Sequence, residues 1–144
     1  MPQADDAVRE FVKTVQRQDT VKLSSLMTGF ANFQVIDFDS DVKQVLTKSY
    51  QKDNFLYYYV LHDERKWFKE DIGMGVSLVN GGVATQWVNY LQYYSTGEMS
   101  CGNRVFQSIL VEGGWKITQM IETRFKNCKD SDLLKFRYTL PKNQ

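Results

Sequence analysis

The sequence has little cysteine, almost no net charge and no long hydrophobic run. Its 144 residues contain two cysteines, Cys101 and Cys128, and carry a formal net charge of +1. Two cysteines are too few for a disulfide scaffold or for a zinc site built from cysteine. Near-neutral charge argues against a dedicated nucleic-acid binder, which usually shows a basic excess, and against attraction to an anionic membrane. We therefore predict no metal, no nucleic-acid partner and no membrane partner.

The first ten residues, MPQADDAVRE, are polar and acidic, whereas a secretory signal needs a basic start followed by an apolar stretch. The longest apolar run, FLYYYVL (55–61), is far shorter than the roughly 20 residues that span a bilayer. These features predict a cytoplasmic protein, in which Cys101 and Cys128 would be reduced thiols. A bridge between the two cysteines stays open as an alternative.

Several catalytic motifs are also absent. The sequence contains no G-x-x-x-x-G-K-[ST], no G-x-G-x-x-G, no H-E-x-x-H and no G-x-S-x-G. Their absence disfavours nucleotide hydrolysis, a dinucleotide-binding site, a zinc protease site and an α/β-hydrolase. We expect no cofactor.

Apolar spacing predicts helices near the start of the chain. Residues 5–17 place apolar side chains on one helical face, and 19–28 form a shorter helix that Gly29 would end. Residues 49–62 are a weaker candidate because consecutive tyrosines are poor helix formers.

In the rest of the chain, from residue 32 onward, the spacing of apolar residues changes to every second position, which indicates strands. The predicted strands are residues 32–38, 42–47, 72–79, 83–94, 101–111 and 115–125. The short turns between the later strands predict antiparallel neighbours. Helices first and a sheet afterwards indicate a single α+β domain over residues 1–144, with 129–144 as a C-terminal extension.

Four segments resemble one known superfamily. VNGGVATQWVNY, CGNRVF, GGWKI and ETRFKNC follow one another in the order seen in nuclear transport factor 2-like proteins, and the likeness is strongest over residues 80–128. Within that superfamily the chain is most similar to the lumazine-binding and polyketide-cyclase-like branch. The resemblance implies a strongly curved antiparallel sheet that forms a cone, N-terminal helices that close its wide end, an internal pocket, and a homodimer through the outer face of the sheet.

Strand alternation assigns faces to the last strands. In 115–125 the apolar set that begins at Trp115 would face the interior, leaving Glu122 and Arg124 on the outer face. A bulge or twist could still bring Arg124 to the pocket rim. Arg104 shares a face with Phe106 and would point inward. A buried arginine must be paired, so Arg104 either forms a salt bridge, to Asp37 or Glu122, or clamps an anionic ligand.

Aromatic residues give the main indication of a ligand, because binding pockets are usually apolar and aromatic with a few polar groups. The predicted ligand-binding residues are Trp87, Tyr90, Tyr94, Arg104, Phe106 and Tyr58. Ordinary core and dimer packing is the alternative. If the protein is catalytic, the candidates are His62, Asp37 and Arg104.

Three functions remain open from the sequence. The first is a protein that binds a small apolar or aromatic molecule without turnover. The second is an isomerase, dehydratase or cyclase acting near a carbonyl, which needs a base and oxyanion donors. The third is a protein-interaction module that uses the sheet face.

Overall fold

Helical segments and six strands make up the computed structural model, which describes residues 3–39, 44–63, 67–125 and 128. The elements in chain order are α1 Ala4–Arg17, α2 Thr20–Ser25, β1 Met27–Asp39, β2 Gln44–Gln51, α3 Lys52–Asn54, a π-helix Phe55–Leu61, β3 Trp67–Asn80, β4 Val83–Tyr94, β5 Met99–Val111 and β6 Gly114–Phe125.

The first helix agrees with its prediction to within one residue. Its apolar face is buried, and the Asp6 carboxylate accepts a hydrogen bond of 3.2 Å from the backbone N–H of Gln3. Gln18 ends α1 in the left-handed conformation, with φ of 56°. None of the helices in the described ranges is long and apolar enough to cross a membrane.

The second helix is shorter than predicted. Asp19 caps it by accepting from the backbone N–H of Lys22 at 3.1 Å, but the helix ends at Ser25 and not at Gly29. The backbone N–H of Ile117 in β6 donates to the carbonyl of Leu26 at 2.9 Å. The backbone from residue 26 onward is therefore paired with a strand and cannot continue the helix. Helix signals in the local sequence do not reveal this pairing.

The prediction of a helix over residues 49–62 is confirmed in part. Residues 49–51 belong to β2, where Tyr50 lies opposite Phe33 of β1. Only then does the chain form α3 and the π-helix. The π-helix buries Phe55, Tyr59 and Val60, and its other tyrosines face solvent.

The sheet is open and its strand order is β2-β1-β6-β5-β4-β3. The predicted antiparallel meander from β3 to β6 is confirmed, as is the α+β class. One pair differs, because β1 and β6 run parallel and the sheet is therefore mixed. A parallel pair needs a long connection, and here everything between Asp39 and Gly114 supplies it.

The core lies between the helices and the inner face of the sheet. Phe11 of α1 is the central ring, with centroids 5.4 Å from Phe106 of β5, 6.1 Å from Phe55 and 6.3 Å from Phe33. Phe33 and Phe55 stack at 3.8 Å. These rings form the centre of the buried core cluster.

Cys101 and Cys128 form a disulfide with a Cα–Cα distance of 5.6 Å, so the expectation of two reduced thiols is wrong and the bridged alternative holds. Cys101 lies on the outer face of β5, and the bridge packs with Leu91, Tyr93 and Phe125. The bond therefore ties the chain beyond β6 back onto the outside of the sheet.

Candidate functional site

A buried group of charged side chains lies on the inner face of the sheet. Arg104 of β5 donates from Nε to Glu122 Oε1 at 2.7 Å. Its two terminal nitrogens donate to the two carboxylate oxygens of Glu70, both at 2.9 Å. All three side chains are almost fully buried. The salt-bridge expectation for Arg104 thus has Glu122 as one partner, and Glu70 is a second partner that the sequence did not identify.

A bulge in β6 explains why Glu122 points inward. Gln107 pairs with Gln119 and Ser108 pairs with Ile117, so Thr118 is an extra residue. Because side chains alternate along a strand, one extra residue moves all later side chains to the opposite face. The expectation that Glu122 and Arg124 lie on the outer face is therefore wrong. The alternative, in which a bulge brings Arg124 toward the interior, matches the structure.

Arg124 extends the group toward the rim of the sheet. Its Nε donates to Glu122 Oε2 at 2.6 Å, and its Nη2 donates to Asp63 at 3.4 Å. The hydroxyl of Tyr59, on the π-helix, donates to Glu122 Oε1, and the Arg124 guanidinium lies 5.3 Å from the Tyr59 ring centroid. Glu122 is therefore the shared partner of both arginines and of the helical cover.

Both arginines stay charged. Burial by itself would lower the pKa of Arg104, but the neighbouring carboxylates of Glu70 and Glu122 outweigh it and raise that pKa well above its usual value. Burial by itself would also lower the pKa of Arg124. The neighbouring carboxylates of Glu122 and Asp63 outweigh it and raise that pKa above its usual value. Neither guanidinium can serve as an acid near neutral pH.

A small cavity of about 10 Å³ adjoins Arg104. It is lined by Phe11, Val12, Val15, Tyr59, Glu70 and Arg104. This volume accommodates about one water molecule. One wall is apolar and comes from α1, whereas the opposite wall carries a carboxylate and a guanidinium that are bonded to each other.

Three predicted ligand residues lie on the same inner face as Arg104. The Tyr90 ring covers the Arg104 guanidinium at 4.0 Å, and Phe106 is a core ring packed on Phe11. Tyr94 Oη and Ser100 Oγ are hydrogen-bonded at 3.0 Å. The network continues from Ser100 through Gln92, whose Nε2 donates to Glu70 at 2.6 Å. Tyr94 thus connects to the charged group through neighbours and does not line the cavity.

Two other predicted ligand residues lie away from the Arg104 cavity, and their role in ligand binding stays a prediction. Trp87 is on the face of β4 opposite Tyr90, where its Nε1 donates to Asn89 at 3.3 Å. Tyr58 is 55% exposed. Tyr59, the next residue of the π-helix, is buried.

The three catalytic candidates are not brought together. His62 is exposed and lies against the Tyr57 ring at 4.4 Å, whereas Arg104 is buried. Asp37 is paired in register with Arg124 at the rim of the β1–β6 pair. In the described part of the chain, no cluster of three or more potential metal ligands is found.

Sequence reasoning missed Glu70 and Tyr59 as members of the site, and it named Glu122 only as a possible salt-bridge partner of Arg104 while placing it on the outer face. Glu70 precedes the predicted start of its strand at 72, yet it alternates with Ile72 and Met74, both of which pack on the core. Starting the strand earlier would have placed Glu70 inside. No local signal indicates the bulge that turns Glu122 inward.

A second, larger hollow of about 460 Å³ lies on the surface between α2 and the α3–π-helix segment. Val21, Tyr57 and Leu61 line it and are exposed apolar residues, with Val21 exposed by 83%. The only acidic group in its lining is Asp53.

No protein-family model and no curated protein matches this chain. Solved structures do match. An NTF2-like protein of unknown function in nutrient uptake from Rhodospirillum rubrum has a TM-score of 0.63 and 14% identity, with 85% of this chain and 98% of that chain covered. A domain of unknown function with a cystatin-like fold from Nostoc punctiforme has a TM-score of 0.60 and 15% identity, with coverage of 96% and 88%.

A third similar structure is described as the β subunit of an aromatic-ring-hydroxylating dioxygenase from Novosphingobium aromaticivorans. It has a TM-score of 0.61 and 16% identity, with 90% of this chain and 91% of that chain covered. Identities this low establish similarity of fold alone. The fold named by the sequence resemblance is thereby confirmed, and the branch within that superfamily stays a prediction.

Proposed function

We propose that this chain, which has the NTF2-like fold, binds a small molecule at the Arg104 cavity and does not turn it over. One observation carries the proposal: the cavity joins an apolar wall from α1 to a buried ion pair, Arg104–Glu70. Pockets that bind small molecules have this combination of apolar surface and few polar groups.

The size of the cavity limits how a ligand could enter. About 10 Å³ suffices for one polar group, so the apolar body of the ligand needs the cover to shift. The cover consists of Phe11, Val12 and Val15 of α1 with Tyr59 of the π-helix. Binding by this route should therefore favour a minor, more open conformation of the helices.

Catalysis is disfavoured by the ion pairs themselves. A general base must reach a substrate proton. The carboxylates of Glu70 and Glu122 are already engaged by guanidinium groups, and His62 is exposed. The arrangement supports binding better than it supports proton transfer.

The proposal is tested by native mass spectrometry of the purified protein, and by melting-temperature shifts with a panel of small aromatic alcohols, amines and acids. Val15→Phe fills the cavity, and Val21→Phe adds the same bulk at an exposed site. We expect a retained compound or a shift in the wild type and in Val21→Phe, and none in Val15→Phe. No ligand in any form of the protein would refute binding, and unchanged binding by Val15→Phe would refute this site.

Self-association through the sheet is a second candidate, favoured by exposed apolar residues on its outer face. Leu78 and Val83 lie there on neighbouring strands and are each more than half exposed. Such a patch is typical of an interface. Sedimentation should show a dimer that Leu78→Lys dissociates and that Lys13→Glu, at an exposed site on α1, leaves intact; a wild-type monomer would exclude the homodimer.

The compartment is also a proposal. A cytoplasmic location stays a prediction, and the Cys101–Cys128 bond speaks against it because disulfides are rare in reducing compartments. Trapping free thiols with an alkylating reagent at lysis decides the matter: a cytoplasmic protein should be alkylated at both cysteines, and a protein of an oxidising compartment at neither.

A further inference from the structure

We propose that the Arg104 cavity selects an uncharged ligand group bearing a hydroxyl and rejects carboxylates and ammonium groups. This inference rests on the proposed function and adds the chemical class of the ligand. It follows from the two hydrogen bonds by which Arg104 and Glu70 already pair with each other.

Arg104 is unavailable as a clamp for an anion. Its Nε and both terminal nitrogens already donate to carboxylates at 2.7 and 2.9 Å, and Tyr90 covers one face of the guanidinium at 4.0 Å. An incoming carboxylate could form a bidentate pair with the terminal nitrogens only by displacing Glu70, whose side chain is only 2% exposed. Leaving that carboxylate buried and unpaired is strongly unfavourable.

The surrounding charge also opposes an anion. Among the described residues, the group contains three carboxylates, from Glu70, Glu122 and Asp63, and two guanidinium groups, from Arg104 and Arg124. A ligand carboxylate in the cavity would lie beside the Glu70 carboxylate, in a region where burial weakens solvent screening of their repulsion.

An ammonium group meets the opposite difficulty. The wall that carries Glu70 also carries Arg104 within hydrogen-bond distance, so any cation that reaches the carboxylate lies beside a guanidinium. Like charges in close contact disfavour one another. An ammonium group also has donors only, and so cannot accept from the arginine.

A hydroxyl fits both partners. Arg104 has five N–H donors, and its three hydrogen bonds to Glu70 and Glu122 use one each, so its capacity to donate is not exhausted. A carboxylate can accept about four hydrogen bonds, and Glu70 accepts two from Arg104 and one from Gln92. A hydroxyl both donates and accepts, as water does, and a cavity of about 10 Å³ is the size of one such group. The apolar part of the ligand would face Phe11, Val12 and Val15.

The test uses the full wild-type chain and three compounds of matched size: benzyl alcohol, benzylamine and benzoate. Dissociation constants are measured by NMR titration at neutral pH. We expect benzyl alcohol to bind at least about tenfold more tightly than either ion, equivalent to about 1.4 kcal/mol. If either ion binds as tightly as the alcohol, the selectivity is overturned while small-molecule binding stands. If no compound binds and no ligand is retained on purification, the proposed function fails as well.

A variant tests the cause of the selectivity. Glu70→Gln removes one negative charge from the wall and keeps a polar group of the same shape, so the preference for the alcohol over benzoate should fall at least several-fold. Glu112→Gln removes an exposed charge between β5 and β6 and should leave the preference unchanged. An unchanged preference in a folded Glu70→Gln protein would overturn the role of Glu70, and the wild-type series decides the ligand class even where that variant does not fold.

Discussion

At the scale of single residues, Gly102 of β5 and Tyr90 of β4 support the buried ion pair. Gly102 has no side chain, which lets the Tyr90 ring lie against the strand. Tyr90 in turn covers the guanidinium of Arg104, two residues farther along. Cation–π contact with a desolvated guanidinium is worth about 2 kcal/mol. The Cys-Gly segment therefore serves both faces of the sheet, with Cys101 outside and Gly102 inside.

Gly102→Ala should destabilise the protein by about 1–3 kcal/mol, the range for overpacking. The added Cβ would overlap the Thr123 carbonyl oxygen and lie 2.5 Å from the Tyr90 hydroxyl. Thr123 belongs to the paired strand β6, so its backbone cannot easily shift. Urea unfolding measures the loss. Gly29→Ala is the control, since a Cβ there meets nothing within 4 Å; an equal loss in both variants would contradict this account.

Arg104→Ala should cost about 3–5 kcal/mol of folding stability, because it leaves Glu70 and Glu122 buried without their charge partner. The matched surface variant is Lys69→Ala. Its ion pair with Asp71 spans 3.8 Å between groups that are 60% and 47% exposed, so the loss should stay below about 1 kcal/mol. Thermal or urea unfolding compares the two. Wild-type stability in Arg104→Ala would mean that the arginine serves a ligand and not the fold.

At the scale of elements, β6 shows how one residue decides which side chains form a site. Trp115 and Ile117 precede the bulge at Thr118, and Glu122 and Arg124 follow it. Without the extra residue, Glu122 would point away from Arg104. On the π-helix, Tyr59 is buried and joins the site, whereas its neighbour Tyr58 is exposed.

Reducing the Cys101–Cys128 bond should lower folding stability by about 3.5 kcal/mol. The cross-link closes a loop with a sequence separation of 27, and removing it restores the conformational freedom of that loop in the unfolded chain. Unfolding is compared with and without a reducing agent. The double variant Cys101→Ser/Cys128→Ser should match the reduced protein and respond to no reductant. Equal stability of oxidised and reduced protein would show that the bond contributes nothing to the fold.

At the scale of the whole molecule, α1 and the π-helix cover the inner face of the sheet, and their aromatic side chains join the parts. Phe11 contacts rings from β1, β5 and the π-helix. The same helix supplies the apolar wall of the cavity. The packing of α1 against the sheet therefore affects both the folding stability and the access of a ligand to the Arg104 cavity.

Phe11→Ala should destabilise the protein by about 3–5 kcal/mol, the range for a buried aromatic replaced by alanine. It should also enlarge the Arg104 cavity, so a small apolar compound should raise the melting temperature of the variant more than that of the wild type. Phe30→Ala is the control, since Phe30 is 71% exposed on β1. A similar loss in both variants would contradict a core centred on Phe11.

The sequence by itself determined the α+β class, the first helix and the β3–β6 meander, because these depend on apolar periodicity and short turns between neighbours in the chain. It also predicted that Arg104 points inward, since Arg104 alternates with Phe106 on an unbroken strand. Only the tertiary structure decided the parallel β1–β6 pair, the disulfide, the bulge at Thr118 and the pairing of Arg104 with Glu70 and Glu122. The parallel pair, the disulfide and the ion pairs join residues that are not neighbours in the chain, and the bulge is defined by the register of β6 against β5. Their energies depend on distances in space that local patterns do not contain.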